Sequence, residues 1–431
     1  MGRIGMPMSP WVDRRILLGV GGGIAAYKLC EVASTLAKAG AQVRTILTDR
    51  AEQFVTPLSL GTLCRHRTYG DEDFWYPGAM LPTDQQPQHP LHITLGAWAE
   101  VMLLAPLTAN TLAKITYGLA DNLLTNTVLA STCPVLAAPA MNTEMWQQST
   151  VQHNWQALQQ NDRYLGIAPD SGLLACDRVG MGRMAEPIVL LRFLESVLYT
   201  QGKQDLRKKR IVVTAGATRE YLDPVRFLSN PSTGRMGIAL AEAARHRGAQ
   251  VTLIHGVLPE VPSLSPGIQT IAVTTAVELQ AALQQQFPLH DWLLMAAAVG
   301  DLQPRDRSLV KLPKADLPNP LPLEPVPDVV GSITPLKQPH QKVIGFAAQT
   351  GDIVTPAWEK LQRKGLDAIV ANPIDQPNSG FGSVYNQVTI INDRGAQQPI
   401  ALGTKLAIAH QIYDWVAKEI SKDSAKGFAD K

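Results

Sequence analysis

Short apolar runs, each closed by glycine or a polar cluster and followed by a segment of helical period, recur along this chain. Residues 15–20, 42–47, 101–105 and 134–138 read as strands, the last of them as a buried parallel strand because so apolar a run has no face to give to water. Between the first two lies IAAYKLCEVASTLAKAG, whose apolar residues fall three and four apart as on one face of a helix. The second half repeats the pattern: RIVVT, a glycine-containing turn AGATRE, a helix, then GAQVTLIH. GAQVRTIL at 40–47 and GAQVTLIH at 248–255 each follow a helical segment, two copies of one architectural solution. Alternation of this kind predicts the α/β class, as two doubly wound Rossmann-like domains with mainly parallel sheets.

The breaks in the pattern divide the chain. QGKQDLRKKR, 201–210, is polar and basic and reads as a solvated connector, which predicts domains at 14–199 and 211–420 joined by a linker at 200–210. Residues 1–13 and 421–431 are expected to be flexible termini. The segment 68–89 and the proline-rich 316–327 read as irregular, the latter as a lid over a site. SVYNQVTIINDRG with QPIAL predicts a hairpin, followed by a closing helix over 405–420.

Composition narrows the class. A chain of 431 residues with 45% hydrophobic content supports ordinary globular cores, and a net charge of +2 argues against a nucleic-acid partner. Cys30, Cys64, Cys133 and Cys176 have no paired metal-ligand spacing. The opening residues lack the apolar core of a signal peptide, and no run of about 18 apolar residues offers a membrane span. The expectation is a cytoplasmic protein with no membrane association.

Candidate chemistry gathers where the predicted strands end, since ligands of open α/β sheets bind at the carboxyl edge. Gly21, Gly22 and Gly23 separate a strand from a helix and predict a phosphate site, for which a mononucleotide such as FMN fits at least as well as a dinucleotide. Thr48, Thr108, Asn110 and Thr111 follow two other strands and offer side-chain hydrogen bonds, with helix capping the competing reading for Thr108. In PAMNTEMW, 139–146, Asn142 is placed to orient a carboxylate or amide while Met141, Met145 and Trp146 exclude water; a turn asparagine beside core side chains is the alternative. His92 stands ahead of a strand, where a lone histidine is more often structural. DSGLLACDRVGMGRM, 170–184, reads as a mobile flap, and its Cys176 is the one thiol in polar surroundings, a candidate acid or nucleophile.

In the second half, YLDPVRFLSNPSTGRMG places Ser229, Asn230, Ser232 and Thr233 before Gly234, Arg235 and Gly237, with a helix starting near Met236. Hydroxyls, amides and a guanidinium at a positive helix end make an anion-binding loop. Asp301 and Lys311 suit metal-bound triphosphate, against a surface salt bridge. Lys360 and Lys364 share a helical face and can reach polyphosphate, although solvated lysines are the default there.

The glycine turn with IAAYK, HITLG, APLTANTLAK, PAMNTEMW and ACDRVGMGRM, in this order over roughly 14–190, resemble the phosphopantothenoylcysteine decarboxylase domain, an FMN-binding, flavodoxin-like flavoprotein. The resemblance implies that His92 assists the chemistry, Asn142 holds the substrate carboxylate and Cys176 donates a proton. It implies FMN contacts at Gly22, Gly23, Thr48, Pro106, Thr108, Asn110, Thr111, Ala140 and Met141. TAGATREYLDPVRFLSN, STGRMG, AAAVGDLQP, Lys311, GFAAQT and KGLDAIVAN, over about 210–420, are similar to phosphopantothenate-cysteine ligase. From that similarity CTP is the co-substrate with Mg2+ as cofactor. Asn230 stabilises the activated acyl group and Lys311 assists nucleotidyl transfer. CTP contacts fall on Met295, Ala296, Ala297, Asp301, Lys311, Pro327, Asp328, Val329, Phe346, Lys360 and Lys364; Asp301 takes the Mg2+ and Ser232, Thr233, Gly234 and Arg235 the substrate phosphate.

Together the two resemblances imply a bacterial bifunctional enzyme of coenzyme A synthesis. 4'-Phosphopantothenate is joined to cysteine through an acyl-cytidylate, and the product is then decarboxylated with FMN to 4'-phosphopantetheine. They also imply a homo-oligomer, with decarboxylase trimers assembling into a dodecamer and ligase domains pairing as dimers. Gly21 in place of serine, Asp177 in place of glycine, Gly300 in place of alanine, Pro313 in a lysine-rich run and Gln349 in place of glutamate depart from the usual patterns. Other flavoprotein activities, such as peptide-cysteine decarboxylation or prenyl transfer, do not require residues 210–420. A noncatalytic regulatory subunit is disfavoured by the joint presence of His92, Asn142 and Cys176, and a nicotinamide oxidoreductase by the glycine spacing.

Overall fold

The four strands expected in the first half assemble into one sheet with two further segments, the first of which opens the stretch 68–89 that the sequence predicts to be irregular. The six are β1 (Arg15–Val20), β2 (Gln42–Leu47), β3 (Thr68–Tyr69), β4 (Val101–Leu107), β5 (Val135–Pro139) and β6 (Tyr164–Gly166). The computed structural model describes residues 9–75, 89–173, 178–259, 263–376, 380 and 382–426. It divides into two compact units, Met1–Lys203 and Gln204–Lys431.

In the first unit the strand order is β3-β2-β1-β4-β5-β6 and every neighbouring pair is parallel. Successive residues of a strand point to opposite faces, and both faces are covered. Val101, Leu103 and Ala105 enter one core with the helices Lys28–Lys38 and Pro187–Thr200, while Met102, Leu104 and Leu107 enter another with Leu123–Ala130 and Ser149–Gln159. The chain leaves β1 for β2 on one side and returns to β4 on the other, so a crevice opens at the carboxyl ends of β1 and β4. An antiparallel hairpin, β7 (Asp170–Leu173) and β8 (Val179–Arg183), stands outside the sheet.

The second unit opens with β9 (Arg210–Ala215) and the small hairpin β10 (Arg219–Tyr221) and β11 (Phe227–Ser229), followed by β12 (Gln250–His255), β13 (Ile268–Ala272) and β14 (Trp292–Met295). A further pair, β15 (Leu302–Pro304) and β16 (Leu323–Pro325), precedes β17 (Lys342–Gln349), β18 (Ala368–Pro373), β19 (Tyr385–Asn392) and β20 (Gln397–Thr404). Its main sheet has eight strands ordered β13-β12-β9-β14-β17-β18-β19-β20, parallel except for the last two, which run antiparallel as the expected hairpin. The α/β architecture with mainly parallel sheets is therefore as the hydrophobic pattern predicts, and both GAQV octapeptides run into strands, β2 and β12.

Five local expectations change. HITLGAW is the helix Leu91–Trp98, so His92 sits in a first helical turn. The proline-rich stretch contributes β16, whose one proline, Pro325, ends a short two-stranded ribbon where it removes few ladder bonds. The connector is anchored within the second unit: Leu206 is buried in its core and Asp205 pairs with the buried Arg247. Trp11 packs in the core of the first unit and the Asp13 N–H donates to the Gly40 carbonyl at 3.0 Å, so residues 9–13 are held. The closing helix runs Lys405–Lys426, past the expected end at 420.

Candidate active sites

The carboxyl edge of the first sheet collects most of the residues singled out in that half. The Gly21 N–H donates to the Pro106 carbonyl at 3.2 Å, tying the glycine turn after β1 to the end of β4. The Thr48 hydroxyl, at the end of β2, donates to the Val20 carbonyl at 3.4 Å. Thr108 caps the helix Ala109–Tyr117, accepting from the Thr111 N–H at 3.2 Å and donating to the Thr111 hydroxyl at 3.1 Å. Capping thus uses its oxygen, and Asn110 is the exposed residue of the same first turn. The Ala140 N–H donates to Leu107 at 3.1 Å, which brings the anchor segment to the same edge.

Asn142 is exposed and caps the helix Thr143–Gln147, its Oδ1 accepting from the Met145 N–H at 2.8 Å. Among the described residues its side-chain N–H groups keep no partner, so a donor remains for a carboxylate. Of the three side chains expected to exclude water, Trp146 instead packs into the core edge-on against Trp155 at 5.7 Å, Met145 is exposed and Met141 is half-buried. The hairpin β7 and β8 docks on this segment: Gly182 accepts from the Met141 N–H at 3.0 Å and Arg178 pairs with Glu144. Cys176 lies outside the described residues, as do 174, 175 and Asp177.

His92 makes no bond to these groups. Its Nδ1 is buried with no partner among the described residues, its ring meets Phe74 edge-on at 5.3 Å, and burial pushes its pKa down, which favours the neutral imidazole.

In the second unit one cleft of about 630 Å³ opens at the carboxyl ends of β9, β14, β17 and β18. Its wall includes Asn230, Ser232, Thr233, Gly234, Arg235, Met295, Ala296, Ala297, Asp301, Pro327, Asp328, Val329, Phe346, Lys360 and Lys364. Gly234 has φ +73°, a left-handed conformation, and turns the anion loop into the helix Arg235–His246. The Asn230 side chain donates to the Val299 carbonyl at 3.0 Å, which fixes its amide. Lys360 donates to the Phe346 carbonyl at 3.0 Å; burial lowers its pKa, and the charge of Lys364 adds to that. Lys364 pairs with Asp328, so both lysines already have protein partners.

Lys311 is the exception. It is exposed and is not part of the cleft wall. Its neighbour Leu312 is held elsewhere: the Leu312 N–H donates to Asp223 at 3.3 Å and its carbonyl accepts from Arg226 at 3.2 Å. Gln349 is also absent from the wall. Among the described residues no group of three or more His, Cys, Asp or Glu side chains is arranged to hold a metal, which leaves Asp301 as a single carboxylate.

Sequence reasoning passed over Asp223, Asn372 and Lys405. Asp223 is buried; burial pulls its pKa upward, but the N–H groups of Val225, Arg226 and Leu312 and the Arg226 guanidinium outweigh that and lower it. Asn372 is the penultimate residue of β18, and its buried Oδ1 has no partner among the described residues. It carries the signal that drew attention to Asn142, an asparagine closing an apolar run. Lys405 has no local signal, since only the antiparallel return of β20 brings it to the cleft.

The Flavoprotein family matches residues 9–198, and the family described as DNA/pantothenate metabolism flavoprotein C-terminal domain matches 206–420. The chain is 39% identical over 406 residues to the coenzyme A biosynthesis bifunctional protein CoaBC of Bacillus subtilis (strain 168), covering 94% of this chain and 97% of that one. It is 38% identical over 377 residues to the protein of the same name from Escherichia coli (strain K12), covering 86% and 89%. A crystal structure of the C-terminal domain of a coenzyme A biosynthesis bifunctional protein CoaBC covers 50% of this chain and 98% of its own at 31% identity, with a TM-score of 0.43.

Proposed function

This chain belongs to the family of bifunctional coenzyme A biosynthesis proteins, and from that premise we propose how its residues divide the work. The second unit ligates 4'-phosphopantothenate to cysteine with CTP, and the first decarboxylates the product to 4'-phosphopantetheine. The observation that carries the ligase assignment is the single cleft that unites the anion loop 232–235 with Met295–Ala297, Asp301, Phe346, Lys360 and Lys364.

A carboxylate resists attack by an amine until its oxygen becomes a good leaving group. Transfer of CMP from CTP supplies one, and the charge that develops on the phosphates needs cations. Asp301 would hold Mg2+ jointly with the nucleotide phosphates, as that ion is commonly bound. Lys360 and Lys364 lie close by on one wall. Lys311 serves this step only if its loop, held at Leu312 by Asp223, brings it toward the cleft on nucleotide binding. Asn230, locked through Val299, steadies the acyl group while the cysteine amine displaces CMP.

In the first unit the glycine turn, Thr48, Thr108, Thr111, Ala140 and Met141 form an edge that suits FMN. A polar group left there supports the fit: the Asn142 side-chain N–H groups still lack an acceptor among the described residues. Bound there, FMN would supply reversible two-electron oxidation of the substrate thiol, so that CO2 could leave to give a conjugated enethiolate to which the same two electrons return. Asn142 orients that carboxylate, His92 assists, and Cys176 returns a proton. A homo-oligomer and a cytoplasmic location complete the reading, on the resemblance given above; among the described residues no helix is long and apolar enough to cross a membrane.

The test is incubation of the purified chain with 4'-phosphopantothenate, cysteine, CTP and Mg2+, followed by mass analysis. Formation of 4'-phosphopantetheine with release of pyrophosphate and CO2 is expected. Its absence, with each substrate recovered unchanged, would remove the proposal.

A further inference from the structure

The ligase cleft carries its cations at two separated places on the wall, and they differ in one respect. Lys360, Arg363 and Lys364 come from the helix Val354–Lys364, where Asp328 answers Lys364 directly and the charge of Asp301 is felt at Lys360. At the other place Lys405, the first residue of the closing helix, faces the cleft with Arg235, the first residue of the helix after the anion loop. Lys405 is only 8% exposed. Its ammonium donates to the Gly380 carbonyl at 3.2 Å, and the Arg235 guanidinium donates to the carbonyl of Gly382, two residues on. Among the described residues neither cation has a carboxylate partner.

A buried ammonium has three donors and a full charge, and one carbonyl satisfies one donor and none of the charge. Arg235 makes the deficit larger, because a second cation nearby raises the cost of the first. Such a pair is stable in the charged form when an anion supplied from outside completes it. The surrounding surface offers what a phosphate needs: the Ser232 and Thr233 hydroxyls and the start of the helix Arg235–His246 line the same cleft.

We propose that Lys405, together with Arg235, forms the seat for a phosphate group of the bound ligase substrates. It is a binding residue that none of the sequence motifs points to. The inference rests on the ligase reading of this cleft. The chemistry is a phosphate dianion, which has two sources in that reaction, the polyphosphate of the nucleotide and the 4'-phosphate of the acid substrate. Burial, with the charge of Arg235 adding to it, pushes the free Lys405 ammonium down to about 8, consistent with a cation waiting for its counter-charge.

The experiment uses the full chain with Lys405→Gln, Lys405→Met and Lys405→Arg. Pyrophosphate alone is titrated calorimetrically into each protein, and steady-state constants are measured for CTP and for 4'-phosphopantothenate. A lost charge-assisted contact is expected to weaken pyrophosphate binding, or to raise one of the two KM values, by roughly 10- to 100-fold in the glutamine and methionine variants. kcat should change far less, and arginine should restore most of the effect. A rise confined to CTP assigns the seat to the polyphosphate; one confined to 4'-phosphopantothenate assigns it to the 4'-phosphate. If pyrophosphate affinity and both KM values stay within about twofold of the parent chain, or if arginine fails to restore them in a protein that melts normally, the inference is overturned. Should the parent chain form no ligated product, the ligase reading fails, and the pyrophosphate titration still decides whether Lys405 holds phosphate. Should Lys405→Met melt early, Lys405→Gln and Lys405→Arg give the comparison.

Discussion

Single residues in this chain do double duty, and the structural half of the duty limits what the chemical half can use. The Asn142 side-chain oxygen is spent on the Met145 N–H, so only its N–H groups remain to meet a carboxylate. That division permits a clean separation of roles. In Asn142→Asp the carboxylate still caps the helix, because aspartate and asparagine are nearly equal N-caps, so stability should change by less than about 0.5 kcal/mol. The donor is lost and a negative charge faces the substrate carboxylate, so decarboxylation should fall by roughly 100-fold or more. A thermal melt beside a CO2-release assay checks this, and a folded variant with near-normal release would show that Asn142 is only a cap. For Cys176→Ser, CO2 release should continue while the product stays as the oxidised enethiol, read by mass; conversion to the saturated thiol would rule out its role as acid.

At the scale of elements, much was legible from the apolar runs and little from the polar stretches between them. The central strands of both sheets, β4, β5 and β14 above all, are nearly polar-free, so their burial on two faces follows from composition alone, and with it the crevice at whose edge Thr48, Thr108 and Asn142 lie. One glycine of 170–184 has a further use: Gly182, at φ +142°, is there for close approach, since a Cβ would lie 2.1 Å from the Met141 carbonyl oxygen where the hairpin meets the anchor. His92 in a helix, β16 among prolines and Lys405 in the cleft were hidden because each is placed by contacts distant in sequence. Two outcomes are expected at this scale. Gly234→Ala must hold a left-handed turn and put a Cβ 2.3 Å from Leu258, costing about 1–2 kcal/mol in a denaturant melt and raising the KM for 4'-phosphopantothenate as the anion loop shifts. Asp223→Asn keeps the shape of the β10–β11 turn but weakens the tie that holds the Lys311 loop at Leu312, so Lys311 reaches the cleft at lower cost and ligation should quicken by roughly 2- to 10-fold with little loss of fold. An unchanged rate would separate Lys311 from the chemistry.

For the whole chain, the basic stretch before β9 matters more than its composition suggests. Charge runs normally mark solvated connectors, but Leu206 within this one is 2% exposed among the side chains of the second core, and its N–H donates to the Arg247 carbonyl at 3.0 Å. Asp205 meets the Arg247 guanidinium, which is 3% exposed and is also paired with Asp414 at 2.8 Å. The second unit therefore begins at Gln204, six residues ahead of its first strand. A fragment starting at Gln204 retains both of the unit's cores and should fold cooperatively and bind CTP. A fragment starting at Arg210 loses the Leu206 side chain, worth about 1.5–3 kcal/mol of burial, and leaves Arg247 with one carboxylate instead of two, worth about 1 kcal/mol more given that Asp205 is half-exposed. Its melting temperature should lie roughly 5–15 °C below that of the longer fragment. Because Asp414 and the His410 carbonyl still hold Arg247, the shorter fragment should fold, and the deficit should appear in the melt before it appears in nucleotide binding. Equal melting temperatures would mean that the stretch is the free connector its charges imply.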